Sequence, residues 1–384
     1  MTLALAVGFV ALCVGPWLLR LGYPSLYADD VNRVEFLETR PIGRLLVMPF
    51  NEHLAPLFHG VSWAAWTLAG RRLTFAPLAF TLASYVPFVL ALPVLFALLR
   101  RELKSLTAAL VGVAVFSLTP IYAEAILWFS ASSFMWALLG TLLAWLCAAW
   151  ASESQGRAAL GWSALSGLFA MLAPMFSALG LLAGPVGATR AIAGQGSVRS
   201  LRAWAKALLP IAGTAAYLAI GLVFRYDSVL AGSAAHRADW GKAIALVAQA
   251  VVEALGARVI GLDSPRQGMP TLVNELLLLL AIVAALVWAA PSRSRPMVLI
   301  GLGLIVVPYG LEYSARMGLF AAELLRVQRY HLFPQLGLAC LVAGALRGWL
   351  SRFDVRPSRA LAVACGVAGL LIVLHRSALL ERER

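Results

Sequence analysis

The segment "ASSFMWALLGTLLAWLCAAW", residues 131–150, contains twenty residues without one charged side chain. About twenty helical residues span a hydrocarbon core that is roughly 30 Å thick. Backbone polar groups inside a bilayer must pair within the protein, which leaves helices and closed barrels as the spanning structures. The segment is continuously apolar and does not alternate, so it predicts a helix and not a strand of a barrel.

Similar runs occur on both sides of this segment along the whole chain. Of the 384 residues, 61% are hydrophobic and 13% are charged, and the mean hydropathy is +0.84. Soluble domains are less apolar than this. The composition therefore predicts an all-α, polytopic integral membrane protein. The apolar segments are 2–19, 54–69, 75–99, 106–123, 131–150, 159–189, 207–224, 244–262, 271–290, 297–311, 333–346 and 360–375.

The charges of the loops predict their sides of the membrane, because lysine and arginine are in excess on the cytoplasmic side. Four loops together hold thirteen basic and two acidic residues, whereas three others hold ten basic and nine acidic residues. The loops predicted to be cytoplasmic are 100–104, 190–206, 293–295 and 347–359. The loops predicted to lie outside are 20–53, 225–243 and 312–332.

These two sets of loops can lie on opposite sides of the membrane only if some apolar segments do not cross it. Segments 54–69 and 244–262 must stay at the outer face, and 159–189 must be a hairpin broken near Ala173-Pro174-Met175, since proline disrupts a helix interior. The threading gives about 11 transmembrane helices plus interfacial helices. It predicts a cytoplasmic N-terminus and one transmembrane domain over 1–384, without a separate soluble domain. The predicted location is a bacterial cytoplasmic (inner) membrane.

Several functional classes are disfavoured by what the sequence contains. The net charge of +13 is spread over loops between apolar segments and forms no basic domain, so nucleic acid is not a predicted partner. The four cysteines lie inside apolar runs and show no metal-ligand spacing. There is no G-x-x-x-x-G-K-[ST] loop for ATP. No cofactor is predicted; Asp29 and Asp30 can hold a divalent metal, but the chemistry does not require one.

Charge concentrates in "YADDVNRVEFLETR", Tyr27–Arg40, which carries four carboxylates and two arginines in the predicted first outer loop. Ionisable groups at membrane depth usually mark a substrate pathway or a site. Asp29 or Asp30 can act as a general base toward an acceptor hydroxyl. A structural interpretation is also open, because aspartate caps helix starts. Further polar residues of this face are assigned to acceptor binding or support: Arg33, Glu35, Asn51 and Glu124.

A second dense group lies in "LLRVQRYHLFP", residues 324–334, ahead of a late apolar segment. Arginines hold phosphates through charge-assisted, bidentate hydrogen bonds. Arg326 and Arg329 are therefore predicted to bind a phosphate, together with Tyr330 and His331. The alternative is that these arginines only extend to the membrane interface along their aliphatic stems.

Four short motifs occur in the order "YADD", "NEHLAPL", "TPIYAEAILW" and "RYHLFP". In these the chain resembles the GT-C glycosyltransferases that use polyprenyl-phosphate sugars, a group that includes protein O-mannosyltransferases and the lipid A aminoarabinose transferase. The resemblance implies a GT-C-like fold and an inverting transfer of sugar to a lipid, glycan or polymer acceptor outside the cytoplasm. It implies Asp29 or Asp30 as the base, and His53, Arg326, Arg329 and His331 toward the departing polyprenyl phosphate. One departure is that the turn at 173–175 lacks a basic residue that many relatives have.

A transporter or flippase of a lipid-linked or anionic substrate is the alternative function. A transporter is expected to have an internal repeat and broken helices with charges near the middle of the membrane. The sequence contains no evident repeat, and its acids lie at the ends of apolar segments. A non-catalytic membrane scaffold leaves the outer charge group without a purpose. The sequence therefore favours the enzyme, with membrane lipids and a polyprenyl-phosphate sugar as partners.

Overall fold

A computed structural model describes residues 2–18, 24–50, 53–119, 122–193, 201–223, 244–245, 247–251, 295–315, 327–352, 366 and 369. In this part the chain is helical, apart from two short strands that pair antiparallel. Contacts divide the chain into two compact units. Unit 1 comprises the described residues of Met1–Trp17, Leu95–Ala123 and His236–Arg384. Unit 2 comprises those of Leu18–Val94 and Glu124–Ala235.

Unit 2 contains most of the helices before the middle of the chain. Its elements are α2 (Ala28–Thr39), α3 (Ile42–Leu46), β1 (Pro49–Phe50), β2 (His53–Leu54), α4 (Pro56–Leu68), α7 (Glu124–Leu127), α8 (Ser133–Glu153), α9 (Gly156–Leu172), α10 (Ala183–Ala193) and α11 (Leu201–Val223). Short 3-10 helices lie at Ser130–Ser132, Ala173–Met175 and Ala178–Leu182.

Unit 1 contains α6 (Leu106–Ser117), α12 (Arg295–Ala315) and α13 (Leu332–Arg352). It also contains α1 (Thr2–Leu18), except for the last residue of that helix. A 3-10 helix, Gln328–His331, leads directly into α13. Helix α5 (Ala76–Leu103) belongs to unit 2 up to Val94 and to unit 1 from Leu95. Within unit 1, α13 packs against both α12 and α6.

Five helices of the described chain are long and apolar enough to cross a membrane. They are Ala76–Leu103, Ser130–Glu153, Gly156–Met175, Ala203–Val223 and Gln328–Ser351. Helix α11 also exposes large apolar side chains along its length, among them Leu208, Leu218 and Leu222. Such a surface is stable against lipid tails and not against water. The prediction of an all-helical membrane protein is therefore confirmed.

The predicted break in the segment 159–189 is also present. Helix α9 ends at Leu172, and the 3-10 helices Ala173–Met175 and Ala178–Leu182 follow before α10. Pro174 cannot donate a backbone hydrogen bond, so it ends the regular helix. The chain then returns so closely that a Cβ on Gly180 would overlap the backbone of Ala173. Only glycine fits at this point.

In two other segments the observed helix is shorter than the apolar run of the sequence. The run at 106–123 is helical as α6 only to Ser117. Thr119 precedes a proline, which disfavours the helical conformation, and its hydroxyl donates to the carbonyl of Val115 at 2.7 Å. Helix α4 in the run 54–69 has 13 residues, or about 20 Å, which is less than a bilayer core. The runs 271–290 and 360–375 lie outside the described residues, except for residues 366 and 369.

A small aromatic core fixes α2 within unit 2. Phe129 stacks on Phe58 of α4 at 5.2 Å and on Phe80 of α5 at 4.4 Å between ring centroids. Val34 and Leu37 of α2 are buried in the same cluster. Each buried apolar side chain of this size stabilises the fold by about 1.5–3 kcal/mol. The polar side chains on the neighbouring face of α2 are therefore held by a packed core and not by a free loop.

Candidate functional site

Helix α2 begins inside the acidic stretch. The carbonyl of Tyr27 accepts hydrogen bonds from the backbone N–H groups of Asp30 at 2.8 Å and Val31 at 3.1 Å. In return, Oδ2 of Asp30 accepts from the backbone N–H of Tyr27 at 3.2 Å. This side-chain contact back to the residue before the helix is half of a capping box. The capping interpretation therefore holds for Asp30.

The other oxygen of Asp30 joins α2 to a segment 100 residues away. Oδ1 accepts from the backbone N–H of Ser130 at 2.9 Å and from its hydroxyl at 2.6 Å. With the Tyr27 contact, the Asp30 carboxylate receives three hydrogen bonds and has an exposed fraction of 0%. Charge-assisted hydrogen bonds of this kind are short and strong. The hydrogen bonds of Asp30 thus link the start of α2 to the segment after α7.

Asp29, next to it in sequence, is exposed. The two predicted catalytic carboxylates therefore differ in accessibility: Asp30 is enclosed by its donors, and Asp29 is open to a ligand. An exposed carboxylate on a fixed helix start can accept a proton from an approaching hydroxyl. Of the two, Asp29 is the carboxylate that a hydroxyl can approach from solvent.

Arg33, one helical turn after the two aspartates in α2, is buried. Its Nη1 donates to Nδ1 of His59 at 3.2 Å and to the hydroxyl of Ser62 at 3.1 Å, and its guanidinium lies 4.7 Å from the Phe58 ring centroid. Because arginine can only donate, Nδ1 of His59 must accept. Nε2 of His59 then carries the proton and donates to the Met48 carbonyl at 3.1 Å. His59 is therefore held neutral.

Burial shifts the pKa values of both charged partners. Loss of solvent raises the pKa of the Asp30 carboxyl, and the hydrogen bonds from Ser130 and Tyr27 and the charge of Arg33 act in the opposite direction. Burial lowers the pKa of Arg33 to about 10, and the charges of Asp30 and Asp29 oppose that shift. Arg33 thus stays protonated at neutral pH. Its charge acts on both aspartates at once.

The remaining predicted residues of unit 2 are placed as follows. Glu35 is exposed on α2, and Glu124 is half-buried at the first position of α7. The ring of Trp128, one turn after Glu124, lies 5.9 Å from that of Tyr27. The start of α2 and the end of α7 are therefore neighbours, and Glu124 lies one helical turn before this contact. Asn51 lies outside the described residues, as does the side chain of His53 in β2.

The basic group of unit 1 lies on the 3-10 helix Gln328–His331. Arg329 is half-buried, with its guanidinium 5.2 Å from the ring centroid of Tyr330. Tyr330 and His331 are buried, and Nδ1 of His331 lies 2.6 Å from the hydroxyl of Tyr309 on α12. Arg326 lies outside the described residues. The edge of a guanidinium is the part that forms bidentate hydrogen bonds, and its face is the part that lies against an aromatic ring.

Sequence reasoning did not assign His59, Ser62, Ser130 and Tyr309 to the site. His59 and Ser62 are three residues apart, so they share one face of α4. Polar residues at helical spacing in an otherwise apolar helix are a signal for a buried partner, which here is Arg33. The contact of Ser130 with Asp30 has no comparable signal, because the two are far apart in sequence.

Among the residues that the structure describes, no group of three or more histidines, cysteines, aspartates or glutamates could hold a metal ion. No protein-family model, curated protein or solved structure matches the chain. The resemblance to GT-C glycosyltransferases therefore remains a prediction from the four motifs.

Proposed function

We propose that the protein is a membrane glycosyltransferase of the GT-C type, which transfers a sugar from a polyprenyl-phosphate donor to an acceptor outside the cytoplasm. The observation that carries this proposal is the different exposure of the two neighbouring aspartates at the start of α2. Asp30 is enclosed by three hydrogen bonds, while Asp29 beside it is exposed. A fixed carboxylate open to solvent is what a general base toward an acceptor hydroxyl requires.

The proposed reaction is a single inverting displacement. Asp29 takes the proton of the acceptor hydroxyl as the acceptor oxygen forms a bond to the anomeric carbon of the sugar. The bond from that carbon to the phosphate oxygen breaks, and its electron pair leaves with the polyprenyl phosphate. No redox partner is needed. Asp30, through its contact with Ser130, and Arg33, through its contacts with His59 and Ser62, hold α2 in place.

Phosphate binding is assigned to unit 1, where Arg329 is half-buried on a short helix directly before α13. A guanidinium matches two oxygens of a phosphate monoester or diester. Arg326, Tyr330 and His331 keep the donor-binding role predicted from the sequence. His53, which belongs to unit 2, keeps the donor-binding role that the resemblance implies.

Arg329→Ala is expected to weaken binding of undecaprenyl phosphate by about 10- to 100-fold, the worth of losing hydrogen bonds to a charged group. Arg329→Lys should recover only part of that loss, because lysine cannot form the two-pronged contact. Binding is measured with purified protein in detergent. Wild-type affinity in Arg329→Ala would remove this residue from the donor site.

The proposal needs the start of α2 to lie outside the cytoplasm. We expect a cysteine at exposed Thr39 of α2 to react with a membrane-impermeant maleimide in intact cells. A cysteine at exposed Gln155, between α8 and α9, should react only after permeabilisation. Cys13, Cys147 and Cys340 are buried, and Cys365 is replaced by Ser in both variants. The reverse labelling pattern would place Asp29 in the cytoplasm and contradict an extracytoplasmic transfer.

A transporter of a lipid-linked or anionic substrate makes a different prediction for the same residues. It would move the intact lipid-linked sugar between the two membrane leaflets, and no bond to the sugar would break. Reconstituted vesicles that translocate the donor without releasing polyprenyl phosphate would favour the transporter over the enzyme.

A further inference from the structure

Unit 1 contains a buried contact that the proposed reaction does not use. The hydroxyl of Tyr309 on α12 lies 2.6 Å from Nδ1 of His331, and the two rings meet edge to face with centroids 5.7 Å apart. The exposed fractions are 0% for Tyr309 and 1% for His331. Leaving either group buried without its partner would cost the desolvation of a polar group. The contact therefore fixes the position of His331 relative to α12.

Chemistry assigns the direction of this hydrogen bond. A phenol hydroxyl is a good donor and neutral imidazole nitrogen is a good acceptor, so the Tyr309 hydroxyl donates to Nδ1 of His331. Nε2 then carries the histidine proton. The ring of His331 is held in one tautomer and one orientation, in the way that a neighbouring hydrogen bond sets the other nitrogen in many histidine sites.

A second contact holds the helix that follows. The side-chain amide of Gln335, one turn along α13, donates to the carbonyl of Val115 at 2.8 Å and to the hydroxyl of Thr119 at 2.9 Å. Gln335 is buried and anchors α13 to the end of α6. Loss of the Tyr309 contact would therefore leave the Gln335 anchor of α13 in place and remove one of the contacts that hold the 3-10 helix before it. That short helix carries Arg329.

We infer that Tyr309 is a positioning residue for phosphate binding, acting through His331 on the turn that presents Arg329. The inference rests on the proposed function, because it takes the phosphate of the polyprenyl donor as the ligand of Arg329. A bidentate contact depends on the orientation of the guanidinium, so a small rotation of this short helix costs affinity without unfolding the unit. Tyr309 itself does not touch the donor.

The test measures the affinity of purified protein for undecaprenyl phosphate. Tyr309→Phe removes one oxygen and keeps the buried ring, and we expect it to raise Kd by about tenfold, the worth of one hydrogen bond. Arg329→Ala should raise Kd by at least as much. The double variant Tyr309→Phe with Arg329→Ala should lose less affinity than the sum of the two single losses, because the part of the Tyr309 effect that acts through Arg329 is already lost in Arg329→Ala.

Tyr122→Phe is the matched control. Tyr122 is buried in unit 1, and its hydroxyl donates to the backbone carbonyl of Phe116, so this variant loses the same chemical group at another place. Tyr122→Phe should bind with wild-type affinity even if its Tm falls as much as that of Tyr309→Phe. A purely structural role predicts a lower Tm for Tyr309→Phe with unchanged Kd.

The outcomes separate the inference from the proposed function. Unchanged Kd in Tyr309→Phe while Arg329→Ala binds weakly would overturn the positioning role alone. Additive losses in the double variant would do the same, since they mean that Tyr309 acts independently of Arg329. Wild-type Kd in Arg329→Ala, or no binding by the wild type, would overturn the phosphate site and the inference with it.

Discussion

Asp29→Asn is expected to slow sugar transfer by about two to four orders of magnitude, the usual contribution of general base catalysis. Asparagine keeps the size of the side chain and its place in the first turn of α2, but its amide cannot take a proton from the acceptor. Asparagine is also well tolerated at helix starts, so Tm and solution behaviour should stay close to wild type. Transfer is measured with reconstituted protein and the lipid-linked sugar extracted from cells that lack the gene.

Glu38→Gln provides the matched control. Glu38 is an exposed carboxylate on the same helix, so the variant removes one negative charge from α2 without touching the proposed base. We expect it to transfer sugar at nearly the wild-type rate. A normal rate in both Asp29→Asn and Asp29→Ala would exclude Asp29 as the base.

Asp30→Asn should act on stability instead. The change places an amide N–H₂ group where a carboxylate oxygen now faces N–H or O–H donors, and it removes a negative charge that acts on the buried Arg33. All three hydrogen bonds to the Asp30 carboxylate are weakened or lost, and one hydrogen bond to a charged group is worth about 1.5–3 kcal/mol. We therefore expect a large fall in Tm and in the yield of monodisperse protein. Activity per folded molecule should fall much less than in Asp29→Asn.

Ser130→Ala is expected to be less stable than wild type and more stable than Asp30→Asn. It removes the hydroxyl that donates to Asp30 at 2.6 Å and keeps the backbone donor at 2.9 Å. The loss of one hydrogen bond to a charged group is worth about 1.5–3 kcal/mol, so its Tm should lie between those of wild type and Asp30→Asn. If Asp30→Asn is as stable as wild type but inactive, Asp30 and not Asp29 is the base.

The helical framework could be predicted because its signal is local. An uncharged run such as 131–150 contains its own reason to be a helix in a bilayer, and the observed helix α8 covers Ser133–Glu153. The break near Pro174 is equally local. Helix ends were harder to predict: α6 ends at Ser117 although apolar residues continue, because Thr119 turns its hydroxyl back to Val115 and precedes a proline.

The site was predictable in its residue types but not in its partners. The acids of α2 and the arginines near α13 are visible as charge in an apolar chain. Which aspartate is enclosed depends on Ser130, 100 residues away, and the orientation of His331 depends on Tyr309, 22 residues away on another helix. Two neighbouring aspartates have the same local propensities. Only tertiary packing distinguishes them: Asp30 is buried against Ser130, and Asp29 stays exposed.

The most direct test of the proposed function is a lipid and glycan profile of cells that lack the gene, complemented with wild type or with Asp29→Asn. A glycosyltransferase predicts that one sugar disappears from one envelope polymer or lipid while its polyprenyl-phosphate form accumulates. Wild type should reverse both changes, and Asp29→Asn, although inserted at a normal level, should reverse neither. An unchanged envelope glycan profile, or full complementation by Asp29→Asn, would contradict transfer with Asp29 as the base.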